Sequence, residues 1–278
     1  MSIFNEGLGA GRGASVRGVM NYLGDMDEMP FADEKNPKNS RMIIDPREVQ
    51  FDDARPIADQ MSLDVQGVKL VRHHTAMRDF HDPDELKAVY LREMEEVVQR
   101  ESGADRVISA VVPVLRLNDP KNERVYQAGP LAHSDYTEFT LRTQLGYQVD
   151  LSAPEFRNYK RIIAYQTWRA LSPPPQDSAL AFCDPRSVSV RDRVLSKFTL
   201  SIPRPGVLEF YIYRYSPSHR WFYFPDMRRD ELLIFKGFEG DEADKMKLVH
   251  GAFTVPGCPE GTPPRESVET RTFAFFRD

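Results

Sequence analysis

Short stretches of alternating hydrophobic and polar residues dominate this chain, and a period of two is typical of β-strands. After residue 130 the predicted strands are short, aromatic and β-branched, and Pro and Gly separate them. These strands cover residues 156–171, 179–184, 206–217, 219–225 and 230–239. In the first half of the chain, strands are predicted at 15–24, 41–49 (closed by Pro46), 67–74 and 105–117. The pattern therefore favours a chain built mainly from strands.

One stretch, residues 82–103, has the period of a helix instead. Asp82 suits the N-cap, Pro83 suits the first helical position, and Gly103 suits the end. Its apolar residues recur at helical spacing, which predicts a face packed against the core. They are Leu86, Val89, Tyr90, Met94, Val97 and Val98. A second, short helix is expected at 138–150, and the polar stretch 25–40 is expected to be a loop.

Many short strands after a helical stretch predict a mostly β fold with flanking helices. The architecture expected is a double-stranded β-helix, also called a jelly roll or cupin-like fold. Because the jelly roll would recruit strands from the N-terminal half, we predict a single domain over residues 1–278. Its N-terminal strands and helix would extend to about residue 130, and its metal site would lie in 131–278.

Composition and charge indicate which kinds of partner and compartment to expect. The 278 residues carry 42 acidic and 37 basic side chains, a net charge of −5, which does not resemble a nucleic-acid-binding protein. No signal peptide and no apolar run long enough to span a membrane are found. Two cysteines, Cys183 and Cys258, predict no disulfide scaffold and suit the cytoplasm. A small-molecule substrate is expected, and the oligomeric state is left open.

Two other kinds of functional motif are not supported by the sequence. GLGAGRG, residues 7–13, has the glycine spacing of a dinucleotide-binding turn, but only six residues precede it and no clear helix follows. A flexible N-terminal tail is the better interpretation. A Ser/His/Asp hydrolase is also disfavoured, because the sequence contains no G-x-S-x-G.

A metal site is the better candidate. His133 and Asp135, spaced i and i+2, would point to one side of a strand. About one such pair is expected by chance with six histidines and 42 acidic residues, so the pair alone is weak evidence. His250 follows the strand-rich block, where two jelly-roll strands could meet. Two histidines and one carboxylate leave coordination positions open, as in non-haem Fe(II) oxygenases.

Fifteen residues beyond His250, the segment 264–276 predicts a strand with a polar face. Arg265, Ser267, Glu269 and Arg271 share that face. A guanidinium group next to a hydroxyl is a good receptor for a terminal carboxylate. The alternative is an exposed polar strand face. It is less favoured because the segment follows an H-x-D motif and a distal histidine.

Several motifs together resemble one family, the Fe(II)/2-oxoglutarate-dependent hydroxylases and desaturases of natural-product biosynthesis. Its members include the hydroxylase component of cephamycin methoxylation, gibberellin desaturase and aspergillic-acid-type hydroxylases. The resemblance covers most of the chain. It rests on VYLREMEEVVQRESGADRV (89–107), HSDYT (133–137), TWRAL (167–171), ALAFCDPRSV (179–188), RWFYFPDMRRDELLIFKGFE (220–239), HGAF (250–253) and PPRESVETR (263–271).

The resemblance implies Fe(II), with 2-oxoglutarate and O₂ as co-substrates. It implies iron ligands at His133, Asp135 and His250. It implies that Arg265 and Ser267 anchor 2-oxoglutarate, with Arg271 as the rival anchor. The reaction implied is hydroxylation, desaturation or cyclisation of a small natural product or amino-acid derivative.

Residues for the substrate pocket are expected around the same motifs, namely Tyr136, Tyr165, Trp168 and Arg169, with strands 208–224. Arg169 could bind the co-substrate or a substrate carboxylate, or could be a structural arginine paired with Asp184 or Glu231.

Two departures from the family's motifs make a different pocket plausible. Ala170 stands where a proline is usual, and Gln166 or Thr167 where an asparagine is usual. In ISAVVPVLR (108–116) only Arg116 of the usual strand motif is kept.

Two other classes stay open on the sequence alone. One is a jelly-roll protein that binds a metal or a carboxylate without catalysis. The other is a non-haem iron oxygenase that does not use 2-oxoglutarate, in which Arg265 would bind the substrate.

Overall fold

Two β-sheets form the framework of the described chain. The computed structural model describes residues 15–33, 36–110, 113–117, 131–200, 206–240, 242 and 245–277; the glycine-rich segment 7–13 lies outside them. The strands, in chain order, are β1 Val16–Leu23, β2 Phe31–Asp33, β3 Ile44–Asp53, β4 Val68–Arg72, β5 Arg106–Ser109, β6 Val114–Leu117, β7 His133–Ser134, β8 Arg161–Ala170, β9 Ser178–Cys183, β10 Arg193–Leu200, β11 Gly206–Tyr213, β12 Trp221–Tyr223, β13 Glu231–Phe238, β14 His250–Thr254 and β15 Glu266–Phe276.

The predicted long helix is confirmed, with an irregular start. It consists of α1 (Pro83–Glu85), a π-helical turn (Leu86–Tyr90) and α2 (Leu91–Ser102). The Asp82 carboxylate accepts hydrogen bonds from the first-turn amides, as an N-cap does. Gly103 ends the helix in the left-handed region at φ 72°. The predicted second helix is α3, Glu138–Gly146. Short 3₁₀ turns lie at Pro37–Asn39, Arg55–Gln60, Pro154–Phe156, Pro185–Ser187 and Val190–Asp192.

The strand order gives a larger sheet, β1-β3-β12-β9-β14-β7-β11-β10-β2, and a smaller one, β4-β13-β8-β15-β5, with β6 also paired to β15. Aromatic residues of both sheets pack together between them, among them Trp168 and Phe235 of the smaller sheet and Phe182 and Phe222 of the larger. This arrangement confirms the predicted jelly roll.

The outer face of the smaller sheet packs on α2. Alternate residues of β8, β13 and β15 contact the apolar face of the helix, including Ile163, Ile234 and Val268. The apolar positions predicted for the helix pack in or against this cluster, as expected. Every strand residue from Ile163 to Ala170 is buried, because β8 has this helical layer on one side and the inter-sheet core on the other.

Two strand predictions need correction. Pro46 does not close its strand, because β3 continues to Asp53. At Pro46 the strand pairs with β1 on one side, and β12 joins the other side only from Phe51, so the missing N–H breaks no pairing with β12. The strand predicted at 105–117 is two strands, β5 and β6, which pair with different parts of β15. Strands β2 and β10 were not predicted.

Candidate active site

Three side chains from two paired strands form the centre of the candidate site. His133 begins β7, Asp135 follows that strand directly, and His250 begins β14. The two strands pair so that His250 lies opposite His133. One ligand atom from each of the three residues lies within 4.8 Å of the others. The sheet register thus brings together residues that are 117 positions apart in the sequence.

Backbone carbonyls orient both imidazoles. Nδ1 of His133 lies 2.6 Å from the carbonyl oxygen of Leu131, and Nδ1 of His250 lies 3.0 Å from that of Leu248. Because a carbonyl oxygen only accepts, each Nδ1 carries the hydrogen, which leaves Nε2 for a metal. Two imidazole nitrogens and one carboxylate are a donor set that suits Fe(II). The residues present therefore fit the metal that the family implies.

The balance of burial and charges inside the site favours the metal-binding forms of His250 and Asp135, and it acts on His133 in the opposite direction. Burial, together with the charge of His133, lowers the pKa of His250 to about 4, so its ring is neutral at neutral pH. Burial opposes ionisation of Asp135, but the charge of Arg271 and the His133 hydrogen bond outweigh it and hold the pKa of Asp135 well below its usual range. Burial also lowers the pKa of His133, yet Asp135 reverses the shift and raises it.

The Asp135 carboxylate is held by donors from the smaller sheet. Gln166 donates from Nε2 to Oδ2 of Asp135 at 2.6 Å, and Arg271 donates from Nη2 to the same oxygen at 3.3 Å. Arg271 also donates to Glu269 from Nε at 3.0 Å, and Arg116 donates to the other oxygen of Glu269 at 3.2 Å. Arg271, the predicted rival anchor for 2-oxoglutarate, is therefore already paired with two carboxylates.

Arg265 has a different environment, although it comes from the same segment. Its side chain is buried, and its Nε and Nη1 have no hydrogen-bond partner among the described residues. The hydroxyl of Ser267 is likewise buried and unpartnered within that part of the chain. Burial and the nearby charge of Arg116 lower the pKa of Arg265 to about 10, so the group is still a cation at neutral pH. A buried guanidinium and a hydroxyl with unused donors fit a carboxylate ligand.

Two of the predicted pocket residues lie on the inner side of the barrel. Tyr136 follows Asp135 directly, is fully buried, and donates its hydroxyl hydrogen to Gln144 in α3 at 3.1 Å. Trp168 lies under Arg265, whose Cζ is 5.6 Å from the ring centroid. Trp168 also lines a mainly apolar cavity of about 130 Å³ with residues such as Leu180, Phe224 and Met227.

The other two predicted pocket residues, Tyr165 and Arg169, are not brought to the site. Both lie on the outer face of β8, and Tyr165 packs in the cluster around α2. Arg169 donates to the hydroxyl of Tyr90 and to carbonyl oxygens of His73 and Arg229. Arg169 is thus a structural arginine, but not with the partners predicted.

Those two acids pair with other arginines. Asp184 pairs with Arg186 and Arg220, and Glu231 pairs with Arg55.

Gln166 and Glu269 are contacts of the site that sequence reasoning did not assign. Gln166 alternates with Trp168 on the inner face of β8, so the period of two was the signal that could have found it. Glu269 was placed on the correct strand face but given no role. Its neighbours across the sheet, Trp168 on β8 and Val114 on β6, are apparent only once β15 is paired on both sides.

Comparisons with known proteins show the family of this chain. A family model described as an oxidoreductase/YMDC permease-like domain matches residues 20–275. The chain therefore belongs to that family. No helix in the described part of the chain is both long and apolar enough to cross a membrane.

Relatives confirm the resemblance to Fe(II)/2-oxoglutarate oxygenases. The chain is 28% identical to the alpha-ketoglutarate-dependent dioxygenase tstK of Talaromyces stipitatus, over 82% of this chain and 84% of that one. It is 26% identical to the Fe(II)/2-oxoglutarate-dependent dioxygenase nvfI of Aspergillus novofumigatus, over 83% and 84%. The chain is thus an oxidoreductase, and its relatives are named for dependence on 2-oxoglutarate and, in nvfI, on Fe(II).

A solved structure shares the fold. It is of the iron and alpha-ketoglutarate-dependent endoperoxidase NvfI, with a TM-score of 0.83 and 22% identity over 96% of this chain and 99% of that one. At this identity the likeness supports the jelly roll.

Proposed function

We propose that this protein oxidises a small natural product or amino-acid derivative, by hydroxylation, desaturation or cyclisation. In this proposal His133, Asp135 and His250 hold Fe(II), and Arg265 with Ser267 anchors 2-oxoglutarate. The observation that carries the proposal is the pairing of three converging ligand atoms with a buried arginine that has unused donors. A cytoplasmic location remains a prediction.

Bound Fe(II) would supply the activation of O₂, coupled to oxidative decarboxylation of 2-oxoglutarate, that oxidises an unactivated C–H bond. The chain's own residues supply geometry and charge. Carbonyls of Leu131 and Leu248 fix which imidazole nitrogen faces the metal, and Gln166 and Arg271 hold the carboxylate of Asp135. Arg265 would neutralise the distal carboxylate of 2-oxoglutarate in a site that excludes water, where a charge-assisted pair is strong.

Trp168 and Tyr136 are proposed walls of the substrate pocket. Trp168 supports Arg265 from below through its ring face, and Tyr136 lies directly after the aspartate ligand. Aromatic walls would orient an apolar substrate while the polar groups of the site stay on the side of the metal.

The test is anaerobic addition of Fe(II) and then 2-oxoglutarate, followed by O₂. We expect a visible metal-to-ligand charge-transfer band before O₂ is added and succinate afterwards. Asp135→Ala should abolish both, whereas Asp45→Ala, which removes an aspartate paired with Arg47 on β3, should leave both unchanged. Iron uptake without a band would contradict the 2-oxoglutarate assignment, and wild-type succinate formation by Asp135→Ala would contradict the iron ligands.

A further inference from the structure

Gln166 is fully buried on the inner face of β8, and its amide faces two carboxylates. Nε2 lies 2.6 Å from Oδ2 of Asp135 and 3.3 Å from Oε1 of Glu269. Carboxylates at these distances require a donor, so the amide hydrogens must point this way. Within the described residues, Oε1 of Gln166 accepts no hydrogen bond. The orientation of the amide is therefore set by the hydrogen bonds that Nε2 donates, and not by any that Oε1 accepts.

Gly237 makes the space for that amide. It lies at the bulge of β13, between Lys236 and Phe238, where the pairing with β8 shifts by one residue. A Cβ at this glycine would come within 2.5 Å of Oε1 of Gln166 and 3.3 Å of a ring carbon of Tyr136. Real Cβ atoms do not approach so closely, so any side chain at 237 would displace the amide. Because Oε1 ends a flexible side chain, the amide can move away from such a Cβ, at the expense of its hydrogen bond to Asp135.

The two oxygens of Asp135 are treated differently by their surroundings. Oδ2 accepts from both Gln166 and Arg271, which leave it little freedom. Oδ1 lies 3.5 Å from Nε2 of His133, and Oδ2 lies 3.7 Å from Nε2 of His250. Both oxygens therefore face an imidazole, but among the described residues only Oδ2 is also held by donors of the smaller sheet.

We infer that Gln166 is a positioning residue. Packed against Gly237, it works with Arg271 to hold Oδ2 of Asp135, and so keeps this carboxylate oriented toward the two imidazoles of the proposed metal site. The inference rests on the proposed iron site and adds a role for this chain's glutamine. An asparagine in place of Gln166 would be one methylene shorter, and its amide would end about 1.5 Å short of the carboxylate.

The test is anaerobic titration of the purified full chain with Co(II), without 2-oxoglutarate, read by visible absorption. Gln166→Met fills the same space without a donor, and Gln166→Asn keeps the donor without the reach. Each should weaken Co(II) binding about 10-fold or more, as loss of groups that orient metal ligands generally does, and should alter the cobalt spectrum. Thr167→Ser, on the outer face of the same strand, is the matched control and should bind like wild type.

Gly237→Ala tests whether the space beside Gly237 is needed, without any change at Gln166 itself. Alone, it should weaken Co(II) binding to a similar extent. Combined with Gln166→Asn, it should add little, because the displaced amide is then already out of reach. Thermal unfolding of the metal-free variants checks that each is folded.

The outcomes separate the two proposals. Wild-type protein that takes up no Co(II) would overturn the metal site, and this inference with it. Wild-type binding together with near-wild-type affinity, within about twofold, in folded Gln166→Met would overturn the inference alone. Additive effects of Gln166→Asn and Gly237→Ala would overturn the role of Gly237.

Discussion

Two buried arginines lie at opposite faces of the smaller sheet and are used in opposite ways. Arg169, on the outer face of β8, is 0% exposed, and Arg265, at the start of β15, is 1% exposed. The guanidinium of Arg169 reaches Tyr90, Arg229 and both the backbone and the ring of His73. That of Arg265 has two nitrogens without a hydrogen-bond partner among the described residues.

The difference shows how burial alone misleads about function. A buried cation is costly unless hydrogen bonds compensate it. Arg169 is compensated by the fold, so it stabilises the packing of the helix region on β8. Arg265 keeps two nitrogens without a partner among the described residues, a cost that an incoming carboxylate would relieve. The unsatisfied donors, rather than the burial, distinguish Arg265 from Arg169.

Replacing Arg265 with methionine should have the largest effect. It should also separate affinity for 2-oxoglutarate from stability most clearly. The apparent affinity for 2-oxoglutarate should fall about 1,000-fold, because a buried charge pair typically loses 2–5 kcal/mol, very roughly, when one partner is removed. The free energy of unfolding should not fall, since an unpaired buried cation is removed. Succinate formation at varied 2-oxoglutarate and urea unfolding measure the two quantities.

If Arg265→Met kept a wild-type KM for 2-oxoglutarate, the anchor would lie elsewhere. In that case Arg271→Met would be the next variant. That variant would change the proposed metal site as well as co-substrate binding, because Arg271 also holds Asp135 and Glu269.

The reverse pattern is expected for Arg169→Met. It leaves the buried hydroxyl of Tyr90 and two part-buried carbonyls without their donor, and an unsatisfied buried group costs about 1–3 kcal/mol. We expect the free energy of unfolding to fall by about 3 kcal/mol in total, while the KM for 2-oxoglutarate of the remaining folded enzyme stays unchanged. Chemical denaturation measures the first quantity and steady-state kinetics the second. A raised KM with unchanged stability would mean that Arg169 binds a ligand after all.

Ser267→Ala should produce a smaller change of the same kind as Arg265→Met. Its hydroxyl would donate one hydrogen bond to the co-substrate carboxylate, worth about 1.5 kcal/mol, or roughly 10-fold in affinity. Stability should be nearly unchanged, because the hydroxyl has no partner within the described residues. Thr270→Val, on the outer face of β15, is the matched control. An unaltered KM in Ser267→Ala would remove the hydroxyl from the anchor.

Much of this comparison could be predicted from the sequence. The period of two placed Arg265, Ser267, Glu269 and Arg271 on one face, and the spacing H-x-D with a distal histidine identified three side chains that the structure brings together. These predictions succeeded because a strand's alternation is local and the chemistry of the residue types is distinctive.

The role of Arg169 could not be predicted in the same way. In β8 both faces are buried, so hydrophobicity does not reveal which face points to the inter-sheet core. The pairing of β8 with β13 and β15, together with the helix on its outer side, decides the question. Those contacts are long-range, as are the approach of Gly237 to Gln166 and the division of 105–117 into two strands.

His73 offers the smallest and most specific probe of the Arg169 region. Nη2 of Arg169 donates to Nδ1 of His73 at 2.7 Å, so the ring must accept and cannot be doubly protonated there. Burial, reinforced by the charge of Arg169, lowers the pKa of His73 below its ordinary value. As pH falls through about 6.5, the unfolded chain takes up the proton first. The stability that His73 contributes is therefore present above that pH and is lost as pH falls through the folded-state value.

His73→Asn, which keeps an acceptor but does not titrate, should flatten the fall in unfolding free energy between about pH 7.5 and 5.5 by less than about 1 kcal/mol, since solvent screens a half-buried group. The same change at the exposed neighbour His74 is the control, and an equal flattening there would show that the contact with Arg169 is not the cause.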